Sequence, residues 1–573
     1  MPRPPRALWQ LRHADAQAVG ELERALGLPT ILAQVLVGRG LDEADACRRY
    51  LEPRLSDLDS PAGMADLDRA VERLAAALTR GERIGIFGDY DVDGVTSAAV
   101  LGDYLRRCGA APLVRVARRD EGYGFQVEHA EELGRGGCEL LVLTDCGTSD
   151  HAAVARATEL GMDVIAVDHH RVTEGSWPGF ALVNPQRPGC AFAYKGLCSA
   201  GLAFYVAAAL RRLVGASRGD VPDPRDQLDL VALGTVADVA PLTGVNRILV
   251  ARGLELLGRT TRPGLRELLR LAEIVGRAPT AEDVAWRLAP RLNAPGRLGA
   301  AQLAFDCLWH EDRQQAEASA RRCHELNEER RALQARLLVE ATAQAEAQVA
   351  LGRAFLLVSG DDWHPGVAGI LAGRLADRFG RPAAAVAFQG DRGRGSVRGA
   401  RGVDLVPVLS GCVAHLEKFG GHAQAAGFSL RRESLEALAD ALHEGMAGQV
   451  PEAPVLELDG EVRLSSVDER LCAELGRLAP HGEGNPEPIF LGRGLTVQSA
   501  RVVGGGHLRL QLRQGEVVRD AIGFGLGDRL GALPPRVDAA FAPGIDTYQG
   551  PRLRLRCVDL AAEGENLPEG GAA

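Results

Sequence analysis

Short apolar runs at residues 84–87, 113–116, 139–143 and 163–167 recur between stretches of helical periodicity, and this alternation constrains the fold more than any other feature. Runs of that length suit strands and are too short for globular helices. Strands that alternate with helices make parallel βαβ units, so the pattern predicts an α/β fold built on a doubly wound parallel sheet.

The rest of the chain divides around that unit. Residues 1–80 read as a helical lead-in, with apolar positions at helical spacing between Ala65 and Leu74. The first α/β domain is expected over 81–310. Residues 311–350 are rich in Glu, Arg, Gln and Ala and hold neither Pro nor Gly, a composition for one long solvated connecting helix. A second α/β domain follows over 351–450, with strands at 354–358, 383–388 and near Ser396, and helices after Trp363, Val403 and Glu433. Residues 451–562 return to strand texture, alternating at 507–513 and 552–556, which fits a small OB-like β-barrel. Residues 563–573 read as a loose tail.

With 573 residues, 46% of them hydrophobic and 25% charged, the chain is long enough for several folded domains and is not a disordered polymer. No apolar run approaches the roughly 18 residues of a membrane span, and the first residues lack a signal-peptide core, so a soluble cytoplasmic protein is expected. Eleven cysteines without a CxxC pair fit a reducing compartment better than a disulfide framework or a zinc site. A net charge of -10 argues against polyanion binding by the whole surface and leaves room for a local basic groove.

The chemistry sits where the strands end. Residues 84–87 run into Gly88-Asp89-Tyr90-Asp91-Val92-Asp93-Gly94, the third run into Thr144-Asp145-Cys146-Gly147, and the fourth into Asp168-His169-His170. In an open parallel sheet these ends share one crevice, which gathers five aspartates and two histidines. Carboxylates that close stay ionised only with compensation, and a mostly oxygen set with one imidazole suits Mn2+ or Mg2+ better than zinc. Asp238, closing Gly234-Thr235-Val236-Ala237-Asp238 after an apolar helix, is a further candidate ligand. Any one of these aspartates alone reads equally as an N-cap of the next helix. No GxxxxGK[ST] and no GxGxxG follows a strand, which removes nucleotide-loop and dinucleotide readings.

In order and context, Asp91-Val92-Asp93-Gly94, Asp145, Asp168-His169-His170 and Asp238 resemble the four motifs of the DHH phosphoesterase superfamily. Longer strings narrow the resemblance to its bacterial RecJ family: GDYDVDG at 88–94, EGYG at 121–124, GTVADVAPL at 234–242 and RLNAPGRLG at 291–299. WHPGVAGI at 363–370, GSVRG at 395–399 and GGHAQAAGF at 420–428 are similar to the DHH-associated domain, and LAPHGEGNPEPIF at 478–490 to the start of that family's OB domain.

The resemblance implies a two-metal exonuclease that degrades single-stranded DNA from its 5′ end to mononucleotides by phosphodiester hydrolysis, in recombination and repair. It implies two Mn2+ or Mg2+ ions, one held by Asp91 and Asp145, the other by Asp93, Asp145, His169 and Asp238. His170, Asp89 and Asp168 would be the catalytic residues beside them. Arg297, His364, Ser396, Arg398, His422 and, least in keeping with the family pattern, Arg118 would receive nucleotide phosphates. Single-stranded DNA, a single-stranded DNA-binding protein and a DNA helicase are the implied partners, with no membrane and a monomeric chain. A small-substrate phosphodiesterase or pyrophosphatase of the same superfamily leaves the connector and barrel without a task. A non-catalytic single-strand-binding factor would have no need of a complete ligand set.

Overall fold

The computed structural model describes residues 7–122, 124–172, 175–215, 221–546 and 552–565. The chain forms two compact units: residues 48–329 with 477–487, and residues 1–47 with 330–476 and 488–573.

The first unit holds a five-stranded, all-parallel sheet in the spatial order Leu113–Val116, Ile84–Gly88, Leu140–Thr144, Asp163–Val167, Ala181–Val183. The three central strands are apolar along their buried lengths, Asp163 and Thr144 standing at their ends, because both faces are covered. Ile84, Ile86, Leu140, Val142, Ile165 and Val167 pack with the helices Leu67–Arg80, Val92–Arg107, Ser199–Gly215 and Leu228–Ala237. Phe87, Leu141, Leu143, Val164 and Ala166 face the helices Val127–Arg135 and His151–Glu159. The chain's first strand here therefore lies between its second and third, and the strand order reverses direction beside Ile84–Gly88. That reversal opens the crevice in which α/β sheets bind ligands.

The second unit contains a mixed sheet, ordered Lys418–His422, Ala425–Arg431, Arg392–Arg398, Ala383–Gln389, Leu356–Asp361. Only its last two strands run parallel; the other pairs are antiparallel. The same unit holds a barrel of the strands Phe490–Val503, His507–Gln514, Val517–Gly523, Arg552–Ala562 and Arg536–Asp546. It closes because the 14-residue strand Phe490–Val503 pairs with both His507–Gln514 and Arg536–Asp546, bending at irregular registers. Along His507–Gln514, Leu508, Leu510 and Leu512 are buried, while Arg509 and Arg513 alternate with them.

The expected connector is one helix, Arg313–Ala350. The lead-in departs from expectation: it opens on a strand, Leu8–Leu11, which pairs in parallel with Val455–Leu458. Trp9 is buried there and donates its indole N–H to Asp559 Oδ2 at 3.0 Å. A four-residue strand carries no helical or alternating signature of its own, and only its distant partner makes it a strand.

Candidate metal centre

The three central strands of the parallel sheet each deliver a carboxylate at the C-terminal end, Asp89, Asp145 and Asp168, and the local backbone is shaped to aim them. After Ile84–Gly88 the chain turns into the helix Val92–Arg107, with Asp91 as N-cap accepting the Gly94 N–H at 3.0 Å. That turn is so tight that a Cβ on Gly94 would stand 2.5 Å from the Asp89 carbonyl oxygen. Asp93, in the helix's first turn, is buried and accepts the Ser199 and Ala200 N–H groups at 2.7 and 2.9 Å, from the start of helix Ser199–Gly215. Asp145 leaves its strand with φ 62°, a left-handed conformation rare for a non-glycine residue, and accepts the Ser199 hydroxyl at 3.1 Å. Asp238 caps the C-terminus of helix Leu228–Ala237.

These groups converge. His169 Nε2 lies 3.2 Å from Asp145 Oδ1, 3.8 Å from Asp238 Oδ2 and 3.9 Å from Asp93 Oδ2. Three sets of potential ligand atoms lie within 4.8 Å of one another: Asp89, Asp91 and Asp145; Asp93, His169 and Asp238; and Asp145, His169 and His170. Asp145 belongs to the first and third sets, and His169 to the second and third.

The electrostatics show how strongly these carboxylates crowd one another. Burial first, and then Asp91, push Asp89 up to about 8. Burial, Asp93 and Asp91 do the same to Asp238, also about 8. Asp93 and Asp145 are raised as well, each chiefly by burial and then by neighbouring carboxylates in the case of Asp145. Asp89 Oδ1 is buried without a hydrogen-bond partner among the described residues. Crowded oxygens with one orphan acceptor and an imidazole are a donor set that fits divalent cations.

Asp168 is different. It accepts the Thr148 N–H at 3.0 Å, the His169 N–H at 2.8 Å, the His170 N–H at 3.2 Å and His170 Nδ1 at 2.7 Å. Although burial opposes it, these bonds hold Asp168 well below the usual carboxylate range, and Asp168 raises His170 to about 9. The buried Asn184 donates to the His170 carbonyl at 2.8 Å and to Thr148 Oγ1 at 3.0 Å, bracing the same turn.

Helix Ala289–Arg297 packs directly on the carboxylate loop. A Cβ on Gly296 would lie 2.4 Å from the Tyr90 carbonyl oxygen, so Arg297 follows beside that loop. Arg118 is exposed and paired with Asp120 at 2.6 Å. Its neighbour Arg119, not singled out from the sequence, is the one turned inward: it stacks 4.3 Å from the Tyr90 ring centroid and donates to the Gly296 carbonyl at 3.2 Å. Ser199 and Asn184 were likewise missed, since neither stands in a charged motif.

In the other unit, His364 is the N-cap of helix Pro365–Phe379, its Nδ1 accepting the Gly366 N–H at 3.1 Å. Ser396 and Arg398 lie two apart on one strand, hence on one face, and both meet Gly369 of that helix: a Cβ there would be 3.1 Å from Arg398 Nη2 and 3.7 Å from Ser396 Cβ. Arg398 is half-buried, donates only to the Val397 carbonyl, and is lowered by burial, with no carboxylate opposite it among the described residues. His422 is exposed at the end of strand Lys418–His422 and accepts the Gln424 N–H at 3.4 Å.

Comparison with known proteins is consistent along the chain. Residues 83–235 match the DHH family N-terminal domain, 349–448 the DHHA1 domain, and 458–559 the RecJ OB domain. The single-stranded-DNA-specific exonuclease RecJ of Dickeya dadantii is 35% identical over 93% of this chain and 96% of that protein. The crystal structure of RecJ in complex with Mn2+ from Thermus thermophilus superposes with a TM-score of 0.84 at 32% identity, over 98% of this chain and 81% of that one. Its complex with Mg2+ gives 0.78 at 31% identity, over 98% and 80%. With this similarity running through all three matched domains, the chain belongs to the RecJ family.

Proposed function

We infer that this protein is a two-metal exonuclease that degrades single-stranded DNA in the 5′→3′ direction to mononucleotides, serving recombination and repair. The observation that carries the reading is Asp145, a buried strand-end carboxylate shared by two ligand sets in the crevice of the parallel sheet. Asp91 and Asp145, with Asp89 beside them, would hold one Mn2+ or Mg2+, and Asp93, Asp145, His169 and Asp238 would hold the other. When bound, such a pair supplies an activated water and offsets the charge that develops on the phosphate and the leaving oxygen.

The protein's own groups do the positioning. Asp168 fixes the ring of His170 and favours its protonated form, which can donate to the scissile phosphate. Ser199 and the helix start behind it hold Asp93 and Asp145 in place. Arg297, with Arg119 braced on Tyr90, supplies guanidinium near the loop; Arg118 adds an exposed one whose pairing with Asp120 is worth little in water. His364, Ser396, Arg398 and His422 receive nucleotide phosphates, Arg398 being the best suited because it is desolvated and lacks a carboxylate partner. The barrel's alternating arginines suit a single strand held by its backbone. A single-stranded DNA-binding protein and a DNA helicase are the partners this activity calls for, with a monomeric chain working in the cytoplasm.

Single-stranded DNA labelled at either end, with duplex and 5′-hydroxyl DNA alongside, tests the reading in Mn2+. Early mononucleotide release from the 5′ label alone, absent in Asp145→Ala, is expected. A strand that is bound but left uncut with every divalent metal would refute it.

A further inference from the structure

A cavity of about 640 Å³ lies in the first unit, walled by the loop after helix Gly244–Leu257, by helix Pro263–Leu271 and by the start of helix Arg313–Ala350. Thr260, on its wall, donates to Asp229 Oδ2 at 2.7 Å, at the first turn of helix Leu228–Ala237. Asp238 stands at the other end of that helix, about 14 Å away at 1.5 Å per residue.

Five arginines line the cavity, Arg259, Arg266, Arg270, Arg277 and Arg313, against two carboxylates, Glu267 and Glu317. The carboxylates are already used. Glu267 holds Arg270 at 2.7 Å and Arg321 at 3.3 Å, Glu317 holds Arg313 at 2.6 Å, and nearby Asp283 holds Arg277 at 2.5 Å. Arg259 and Arg266 are left with no ion pair and no side-chain hydrogen bond among the described residues. In a chain whose net charge is -10, two uncompensated guanidinium groups share one concavity with three more. All of these guanidinium groups are solvent-exposed, and an anion seated in the concavity could take several of their N–H donors at once, since the guanidinium fork matches phosphate oxygens in pairs. Thr261 adds a hydroxyl, while Ile274, Val275 and Pro279 form an apolar wall beside the arginines. The volume falls in the range that holds a small organic ligand, roughly 300–1,000 Å³.

We propose that this cavity is a second nucleotide-binding site, in which Arg259 and Arg266 grip a phosphoryl group and the apolar wall receives the sugar or base. The phosphoryl group comes from a free nucleotide or from a distal phosphate of a bound strand. The proposal is independent of the exonuclease reading, because none of these residues touches the carboxylate cluster.

The test maps arginine reactivity in the full-length protein held in EDTA. Phenylglyoxal adducts are quantified by peptide mass spectrometry with and without pyrophosphate, dTMP or a 30-nucleotide oligothymidylate. Labelling of Arg259 and Arg266 should slow at least fivefold, while exposed Arg212 reacts unchanged. Protection by dTMP assigns a free nucleotide, and protection by the oligonucleotide alone assigns a strand phosphate; either supports the site. The double variant Arg259→Gln/Arg266→Gln should lose at least tenfold in affinity for the protecting probe and still release mononucleotide from short single strands. If no probe protects the two arginines, or the variant binds that probe as tightly as the parent, the proposal falls.

Discussion

Binding of Mn2+ to the metal-free protein should release protons, and the structure sets how many. Asp89 and Asp238 both have pKa values of about 8, against about 3.9 for an unperturbed aspartate. At pH 7 these raised carboxyls are then mostly protonated, and ligands must be deprotonated to bind, so metal displaces on the order of one to two protons from the pair. At pH 9, above both values, the pair is mostly ionised and its share falls well below one proton. Asp93 and Asp145, also raised, add to the release at pH 7. Calorimetric titration in MOPS and in Tris, whose ionisation enthalpies differ, measures this directly from the dependence of observed heat on buffer. We expect a release on the order of two protons at pH 7, a clearly smaller one at pH 9, and a smaller one at pH 7 in Asp238→Asn. The same shifts set the pH dependence of the metal-free fold. A carboxyl whose folded pKa is raised binds more protons folded than unfolded, so stability from this pair is full below pH 4 and is lost as pH rises through 8. Buffer-independent heats at pH 7, or equal release at pH 7 and 9, would refute the reasoning.

Other consequences are local. Val239, the β-branched residue after Asp238, is held at φ 58° and is 64% exposed, so Val239→Gly should raise the melting stability of the EDTA-treated protein by about 1 kcal/mol and weaken Mn2+ binding several-fold, read by thermal unfolding and metal titration. Gly264→Ala would place a Cβ 1.9 Å from the Cys307 carbonyl oxygen, which should cost about 2–3 kcal/mol in urea unfolding with no direct effect on the metal site. Asp103 is buried, accepts from Arg106 and Gln227 at 2.6 Å each, and lies below its ordinary pKa because Arg262 and those bonds outweigh burial. Its stability is therefore present above pH 4 and lost as pH falls below it, so Asp103→Asn should cost about 1–3 kcal/mol at pH 7 and progressively less in acid, measured by urea unfolding across pH.

The parallel sheet and its carboxylates were legible because one physical cause writes both. Strands buried on two faces must be apolar throughout, so the polar residues that end them stand out, and four strand or helix ends carry Asp89, Asp145, Asp168 and Asp238. The connecting helix was legible for the same local reason, a composition with no helix breaker over 313–350. Long-range choices were not. Leu8–Leu11 is a strand only because Val455–Leu458 lies beside it, and Ala181–Val183 only because it extends the parallel sheet. Side-chain direction was equally hidden: Arg118 and Arg119 are neighbours in sequence, yet Tyr90 and Gly296 draw one inward while Asp120 keeps the other in solvent. Asp168 looks like the other strand-end aspartates in sequence, and only the four donors that close around it make it an ionised brace for His170. Local pattern encodes burial and hence element and sheet; which groups meet across a hundred residues, and which cations in the Arg259–Arg266 cavity are left without a counter-charge, is decided by packing alone.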